Sequence, residues 1–218
     1  METLWPQIER ILPSVSKPAR YIGGEQGSVY PEHAPDAVAW LLLYPDTYEI
    51  GLPNQGLQIL YEILNERPDA LAERAYAPWV DMEAAMRAAA VPLFSVEQHL
   101  PAAAFDILAF NLSAELVYTN LLNMIDLARL PLRGADRAGA DALVVAGGHC
   151  VFNPEPLADF VDAFALGDGE EIVGEINEVL AAWLARPSYA PSRLRRRVKY
   201  VPRHARSRKV IAAAGAGR

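Results

Sequence analysis

Glycines follow directly after two apolar runs of the chain, a placement that would allow a ligand to bind close to the main chain. Gly147 and Gly148 end the stretch DALVVAGG, and Gly167 and Gly169 end the stretch DAFALGDG. Because glycine has no side chain, a bulky ligand can approach the main chain closely at such positions, although glycine also suits a tight turn. Both interpretations stay open. A phosphate loop is a weak third one, because neither a G-x-G-x-x-G fingerprint nor a Walker lysine is present.

A third segment, PDTYEIGLPNQG, follows the most apolar run, AVAWLLLY, and adds polar groups to this set. The carboxylates of Asp46 and Glu49 can accept hydrogen bonds from the hydroxyl or amide groups of a ligand, and Gly51 offers open main chain. Capping the turn is an equally good role for Asp46.

No catalytic residue and no protein-only metal site are predicted. Cys150 stands next to His149, but adjacent residues of a strand point to opposite faces, so the two do not form a nucleophile and its base. The four histidines lack the short spacings of metal ligands. The single cysteine excludes an intrachain disulfide and fits a reducing cytoplasm, where we expect the protein. No apolar run approaches the roughly 20 residues that cross a bilayer, so no membrane contact is expected.

Hydrophobic periodicity predicts strands that alternate with helices along the chain. The predicted strands are AVAWLLLY, ERAYAP, FDILAFNL, DALVVAGG and DAFALGDG. This alternation is typical of an α/β fold, namely a Rossmann-like, doubly wound, mainly parallel sheet of about five strands with helices on both faces. Open sheets of this kind bind ligands at the carboxyl ends of their strands. We therefore expect one cleft to be lined by Asp46, Gly51, Asn54, Gly148 and Gly167.

Charge divides the chain into an acidic body and a basic tail. Residues 1–185 carry 9 Lys and Arg against 27 Asp and Glu, a net charge of −18, whereas residues 186–218 carry 11 Lys and Arg and no acid. We predict an N-terminal extension over residues 1–36, a Rossmann-like domain over residues 37–185, and a basic, flexible tail over residues 186–218. The tail has three interpretations, namely a solvated or disordered arm, an arm that contacts RNA phosphates, and a chain that stops or changes reading frame at this point.

Six blocks of the sequence resemble, in order and spacing, the amino-terminal part of a family of radical S-adenosylmethionine (SAM) proteins. The blocks are YIGGEQGSVY, YPDTYEIGLPNQGLQILYEILN, AYAPWVDME, PLFSVEQ, FDILAFNLSAELVYTNLLNMIDLA and AGGHCVFNPEPLADFVDAFALGDGEE. The resemblance spans about residues 21–172 and implies a Rossmann-like, cobalamin-binding-like domain that precedes a radical SAM barrel. Such a barrel holds a 4Fe-4S cluster on a C-x-x-x-C-x-x-C motif and cleaves S-adenosylmethionine reductively.

The chain departs from this family pattern in two places. With one cysteine it has no C-x-x-x-C-x-x-C motif, so the chain alone is expected to be inactive and to offer no site of the usual kind for a 4Fe-4S cluster or SAM. The cobalt-binding motif D-x-H-x-x-G is also absent, and Asn54 stands where relatives can carry histidine. Because an amide is a poor cobalt ligand, cobalamin would bind through its corrin face and nucleotide tail.

The resemblance makes cobalamin the candidate cofactor and a separate radical SAM barrel chain the candidate partner. The residues assigned to the cofactor are Asp46, Glu49, Gly51, Asn54, Gly147, Gly148, Gly167, Gly169 and Glu170. The alternative is a non-catalytic Rossmann-like module that holds a nucleotide or a partner protein. Among such modules, a phospho-receiver is excluded because Asn111 ends the third strand and no lysine follows the fifth. A flavodoxin is excluded because the loop after the first strand supplies one threonine and no Ser/Thr-rich phosphate loop.

Overall fold

The computed structural model describes residues 2–30, 32–34, 36–184, 200–201 and 209–212, and for residues 183–184, 200–201 and 209–212 it describes the backbone alone. The helices are α1 (Trp5–Ile11), α2 (Tyr48–Gly51), α3 (Gln55–Asn65), α4 (Val80–Ala89), α5 (Tyr118–Leu127) and α6 (Gly169–Leu184). The strands are β1 (Val38–Tyr44), β2 (Ala70–Tyr76), β3 (Ile107–Asn111), β4 (Leu143–Gly147), β5 (Ala163–Leu166), β6 (Tyr200–Val201) and β7 (Lys209–Ala212). Apart from β6 and β7, the predicted basic tail lies outside the described residues.

The strands form one sheet in the order β2-β1-β3-β4-β5-β7-β6. Strands β1 to β5 are parallel to one another, whereas β7 and β6 add an antiparallel pair beside β5. Helices pack on both faces, so the predicted Rossmann-like, doubly wound fold with five parallel strands is confirmed. The chain passes from one side of β1 to the other between β2 and β3, and sheets of this order bind ligands near that reversal.

Two apolar cores hold the sheet between its helices. Strand β1 borders both of them, and all seven of its residues are buried, as is usual for a central parallel strand. Leu41 and Leu43 pack toward α1, α4 and α5, whereas Trp40 and Leu42 pack toward α3 and α6. The indole Nε1 of Trp40 donates to Oδ1 of Asn177 in α6 over 2.9 Å, which ties that helix to the centre of the sheet.

Part of the N-terminal extension lies against α3 and β2. We call residues 25–30 the strap. The main-chain N–H of Val29 donates to the hydroxyl of Tyr61 in α3 over 2.7 Å. The Oγ of Ser28 accepts from the guanidinium of Arg74 in β2 over 2.9 Å. The strap is therefore attached to a helix and to a strand of the domain.

Candidate cofactor pocket

A cavity of about 320 Å³ lies at the carboxyl ends of the parallel strands, between the sheet and helices α3 and α6. Its walls are apolar, and they are formed by Trp40, Leu42, Leu57, Leu60, Ile172, Val173 and Ile176. Polar side chains of Asn54, Asn111, Ser113 and His149 complete the lining. An apolar cavity with a few polar groups is the usual form of a small-molecule site, and this volume falls within the typical range of roughly 300–1,000 Å³.

Small residues on three neighbouring strands form the part of the pocket floor that lies beside Leu42 and Val145. They are Ala109 of β3, Gly147 of β4 and Ala165 just before the end of β5. Buried parallel strands are usually rich in Val, Ile and Leu, whose side chains fill the space under a covering helix. The shorter side chains here leave that space open, so the cavity follows directly from the sequence of the strand ends.

Hydrogen bonds hold the polar side chains of the pocket in place. Oδ1 of Asn54 accepts from the main-chain N–H of Leu57 over 2.9 Å, which caps the amino end of α3. The same oxygen accepts from Nδ2 of Asn111 over 3.2 Å and so joins α3 to the end of β3. The Oγ of Ser113 lies 2.6 Å from the hydroxyl oxygen of Tyr44. Asn54 thus has a structural role as a helix cap.

The glycines at the pocket serve two different purposes. Gly148 has a φ of +100°, and a Cβ there would lie 2.6 Å from the carbonyl oxygen of Leu112. Gly167 has a φ of +120°, so both positions need glycine for the turn itself. Gly147 has no positive φ, and the nearest atom to a Cβ there would be the Cβ of Ala165 at 3.9 Å. Gly147 therefore leaves open space above the floor, where a ligand can approach the main chain.

The structure brings six of the nine predicted cofactor residues together in this pocket. They are Asn54, Gly147, Gly148, Gly167, Gly169 and Glu170. The expectation that Gly148 and Gly167 share one cleft with Asn54 is therefore met. Contact of these residues with a cofactor stays a prediction.

Glu49 and Gly51 lie outside the pocket lining, because the short helix α2 turns them away from it. The Oε1 of Glu49 lies 2.8 Å from Nη2 of Arg20 in the N-terminal extension. The hydrogen bond from Arg20 lowers the pKa of the Glu49 carboxyl group from 4.5 to about 2. Gly51 is buried against the ring of Tyr76, which leaves no room for a side chain there.

Asp46 also lies outside the pocket and stabilises its own turn. Its Oδ1 accepts from the main-chain N–H of Thr47 over 2.7 Å, and its main-chain oxygen accepts from the N–H of Ala77 over 2.9 Å. The turn-capping role considered for Asp46 is the one that the structure shows. The expectation that Asp46 and Gly51 share the cleft of Gly148 is therefore wrong.

Sequence reasoning missed several residues that line the pocket. The main ones are Gly56, Ala109, Asn111, Ser113 and His149. Asn111, Ser113 and His149 stand at or just after the carboxyl ends of the third and fourth strands, and that position alone was enough to find them. Nothing in the sequence marks Ala109 as a pocket residue, because a small side chain opens a cavity only where a helix lies opposite it.

The described lining carries little charge. Its ionisable side chains are Glu170 and His149, and no Lys or Arg of the described residues lines it. Glu170 and Glu171 stand in the first turn of α6, where their carboxylates occupy the helix end that would otherwise favour an anion. Apolar walls with amide and hydroxyl groups suit an uncharged aromatic heterocycle better than a phosphate group.

A protein-family comparison gives the chain a place among known proteins. The family described as "Radical SAM proteins, N-terminal" matches residues 56–202, which are 147 of the 218 residues. The chain belongs to this family. The matched part of this radical SAM N-terminal domain begins in α3 and contains β2 to β5 with their glycines. No curated protein and no solved structure matches the chain.

Among the described residues, no three His, Cys, Asp or Glu side chains are placed to share a metal ion. No helix in the described parts of the chain is both long enough and apolar enough to span a membrane.

Proposed function

We propose that this chain is a cobalamin-binding-like N-terminal domain of a radical SAM protein and that the pocket receives the planar base of the cofactor's nucleotide tail. The observation that carries the proposal is the floor of small residues, Ala109, Gly147 and Ala165, beneath α3 and α6. A planar base can lie on such a floor with apolar walls around it. The family match supports the placement of the domain before a radical SAM catalytic unit.

The residues of the pocket fit cobalamin in their chemistry. The side chains of Asn54, Asn111 and Ser113 supply amide and hydroxyl groups, which can bond the amide groups at the edge of a corrin ring. Bound cobalamin would supply the chemistry of its cobalt ion, while the residues of this chain bind and orient the cofactor. We propose no cobalt ligand at Asn54, because its Oδ1 already caps α3.

We propose that the iron–sulfur chemistry resides on a radical SAM barrel and not on these 218 residues. This chain has one cysteine, whereas the barrel motif supplies three thiolates to its cluster. After anaerobic reconstitution with iron and sulfide, the isolated chain should show neither 4Fe-4S absorbance nor cleavage of S-adenosylmethionine. A stoichiometric cluster on the monomer would contradict this assignment.

The carboxyl edge of the sheet is the surface that we propose for the barrel. The segments that follow four different strands expose large apolar side chains there, namely Ile50 (53% exposed), Val80 (70%), Leu116 (91%) and Phe152 (74%). Apolar side chains concentrated on one edge are typical of an interaction surface. Ser113 and His149, which line the pocket, stand close in sequence to Leu116 and Phe152, so a barrel at this edge would cover the pocket mouth.

A second function, a Rossmann-like module that holds a nucleotide or a partner protein without catalysis, is favoured by one observation. The cobalt-binding motif D-x-H-x-x-G is absent from the sequence, and the Oδ1 of Asn54 is used as a helix cap. This module would use the same pocket for a nucleoside base. It differs from the first proposal in its ligand, so a binding experiment separates the two.

Titration of the purified chain with hydroxocobalamin tests the proposed function. Ultraviolet–visible spectra and calorimetry should show a spectral change and a dissociation constant on the order of 1 μM, equivalent to about 8 kcal/mol of binding free energy. Adenosine, titrated in parallel, should bind more weakly. Binding of adenosine with no binding of hydroxocobalamin would favour the nucleotide-binding module.

A further inference from the structure

A buried arginine stands behind the helix that forms one wall of the pocket. Arg74 of β2 is 1% exposed and lies directly opposite Leu42 of β1, which lines the pocket. Its Nε donates to Oε1 of Glu97 over 2.7 Å, and its main-chain N–H donates to the other carboxylate oxygen of Glu97 over 2.7 Å. This ion pair compensates the buried positive charge, which would otherwise be costly.

The remaining donors of Arg74 contact two other parts of the chain. Nη1 donates to Oε1 of Gln58 in α3 over 3.2 Å, and Nη2 donates to Oγ of Ser28 in the strap over 2.9 Å. The guanidinium carbon also lies 4.3 Å from the ring centre of Tyr61, one turn further along α3. One side chain therefore joins β2, α3 and the strap.

Helix α3 stands between this arginine and the pocket. Gln58 and Tyr61 contact Arg74, while Leu57 and Leu60 line the pocket. Gln58 makes a second bond that reaches the loop before α3, because its Nε2 donates to the main-chain oxygen of Leu52 over 2.7 Å. The contacts of Arg74 thus reach both the first turns of α3 and the loop that leads to Asn54.

We propose that Arg74 is a positioning residue of the pocket, which holds α3 at its distance from the sheet and couples the strap to it. Only an arginine can donate to Glu97, Gln58 and Ser28 at once, because its planar guanidinium carries donors in a fixed fork. A lysine ammonium is a single point charge on a flexible chain. The positioning of α3 is a property of the chain itself. Its effect on cofactor affinity rests on the proposed function.

Arg137 provides a matched control for Arg74. Its side chain is also fully buried, and Nη1 donates to Oδ2 of Asp162 over 2.9 Å. Its other donors bond the main-chain oxygens of Pro131, Leu132 and Phe160, and none of these groups lines the pocket or belongs to α3. Substitution of Arg137 therefore removes a buried arginine network without touching the pocket.

The experiment compares Arg74→Lys with Arg137→Lys. Both variants should lose thermal stability, because each leaves buried acceptors without their donors. Only Arg74→Lys should raise the amide hydrogen-exchange rates of Leu57 to Leu64 in α3, by about tenfold, and weaken hydroxocobalamin binding by a similar factor, which corresponds to about 1.4 kcal/mol. Equal exchange rates in α3 for the two variants would overturn the positioning role.

A further variant tests the proposal independently of Arg74→Lys. Gln58→Ala removes the hydrogen bond from Arg74 to α3 together with the bond from Gln58 to Leu52, but it leaves the Arg74–Glu97 pair and the Tyr61 contact, so it should accelerate exchange in α3 even where Arg74→Lys fails to fold. Unchanged exchange in Gln58→Ala would also overturn the proposal. If the wild-type chain does not bind hydroxocobalamin but the exchange results hold, the proposed function fails while the positioning role of Arg74 stands.

Discussion

Gly147 and Gly148 are neighbours in the sequence, yet a side chain would have opposite consequences at the two positions. At Gly148, an alanine would adopt a positive φ and place its Cβ against the carbonyl oxygen of Leu112. Gly148→Ala should therefore lower the free energy of unfolding by about 1–3 kcal/mol. Gly147→Ala, with space for its Cβ, should leave it within about 0.5 kcal/mol or raise it slightly. Urea denaturation measures both, and an equal loss of stability in the two variants would contradict the geometry.

The ion pair of Glu49 with Arg20 makes a second prediction at the scale of residues. The pKa of Glu49 is about 2 in the folded chain, below its ordinary 4.5, because of the hydrogen bond from Arg20. The stability that this pair contributes is therefore present above pH 4.5 and is lost as the pH falls from 4.5 toward 2. Glu49→Gln should be less stable than the wild-type chain at pH 7, and the difference should shrink below pH 4.5. Thermal melts at several pH values would test this, and a difference independent of pH would count against it.

At the scale of elements, the sequence predicted the sheet better than the loops that leave it. The five parallel strands were predictable because each is a short apolar run, and helical periodicity separates them. Six pocket residues were predictable because the carboxyl ends of parallel strands meet at one edge. Asp46 and Gly51 were expected in that cleft but lie outside its lining, because the segment after β1 does not form a plain turn. It contains the short helix α2, which turns Glu49 toward Arg20.

The antiparallel strand β7 gives a prediction about the tail. β7 pairs with β5, whereas among the residues whose side chains the structure describes, the buried members of both apolar cores lie between Ile8 and Leu180. A chain without residues 186–218 should therefore still unfold cooperatively in urea. It should also self-associate, because the uncovered edge of β5 can pair with another chain. Analytical ultracentrifugation measures this, and a truncated chain that does not fold would show that the tail is part of the stable domain.

At the scale of the whole molecule, the acidic body and the basic tail suggest different partners. Residues 1–185 carry a net charge of −18, which repels a phosphate polymer. Contact with RNA through the basic residues of 186–218 stays a proposal. If the full chain binds a single-stranded RNA, the truncated chain should lose that binding together with its salt dependence. RNA binding that survives the truncation would place the contact on the body.

The central claim, that the pocket under α3 and α6 holds the cofactor, is tested most directly at Gly147. Gly147→Val adds a branched side chain above the floor of the pocket, where β-branched residues suit a strand. Gly174→Ala adds a methyl group on α6 outside the pocket lining and serves as the control. In hydroxocobalamin titrations, Gly147→Val should bind more than about tenfold more weakly than the wild-type chain, a loss above about 1.4 kcal/mol, while Gly174→Ala binds as the wild type does. Wild-type affinity in a folded Gly147→Val variant would contradict the account.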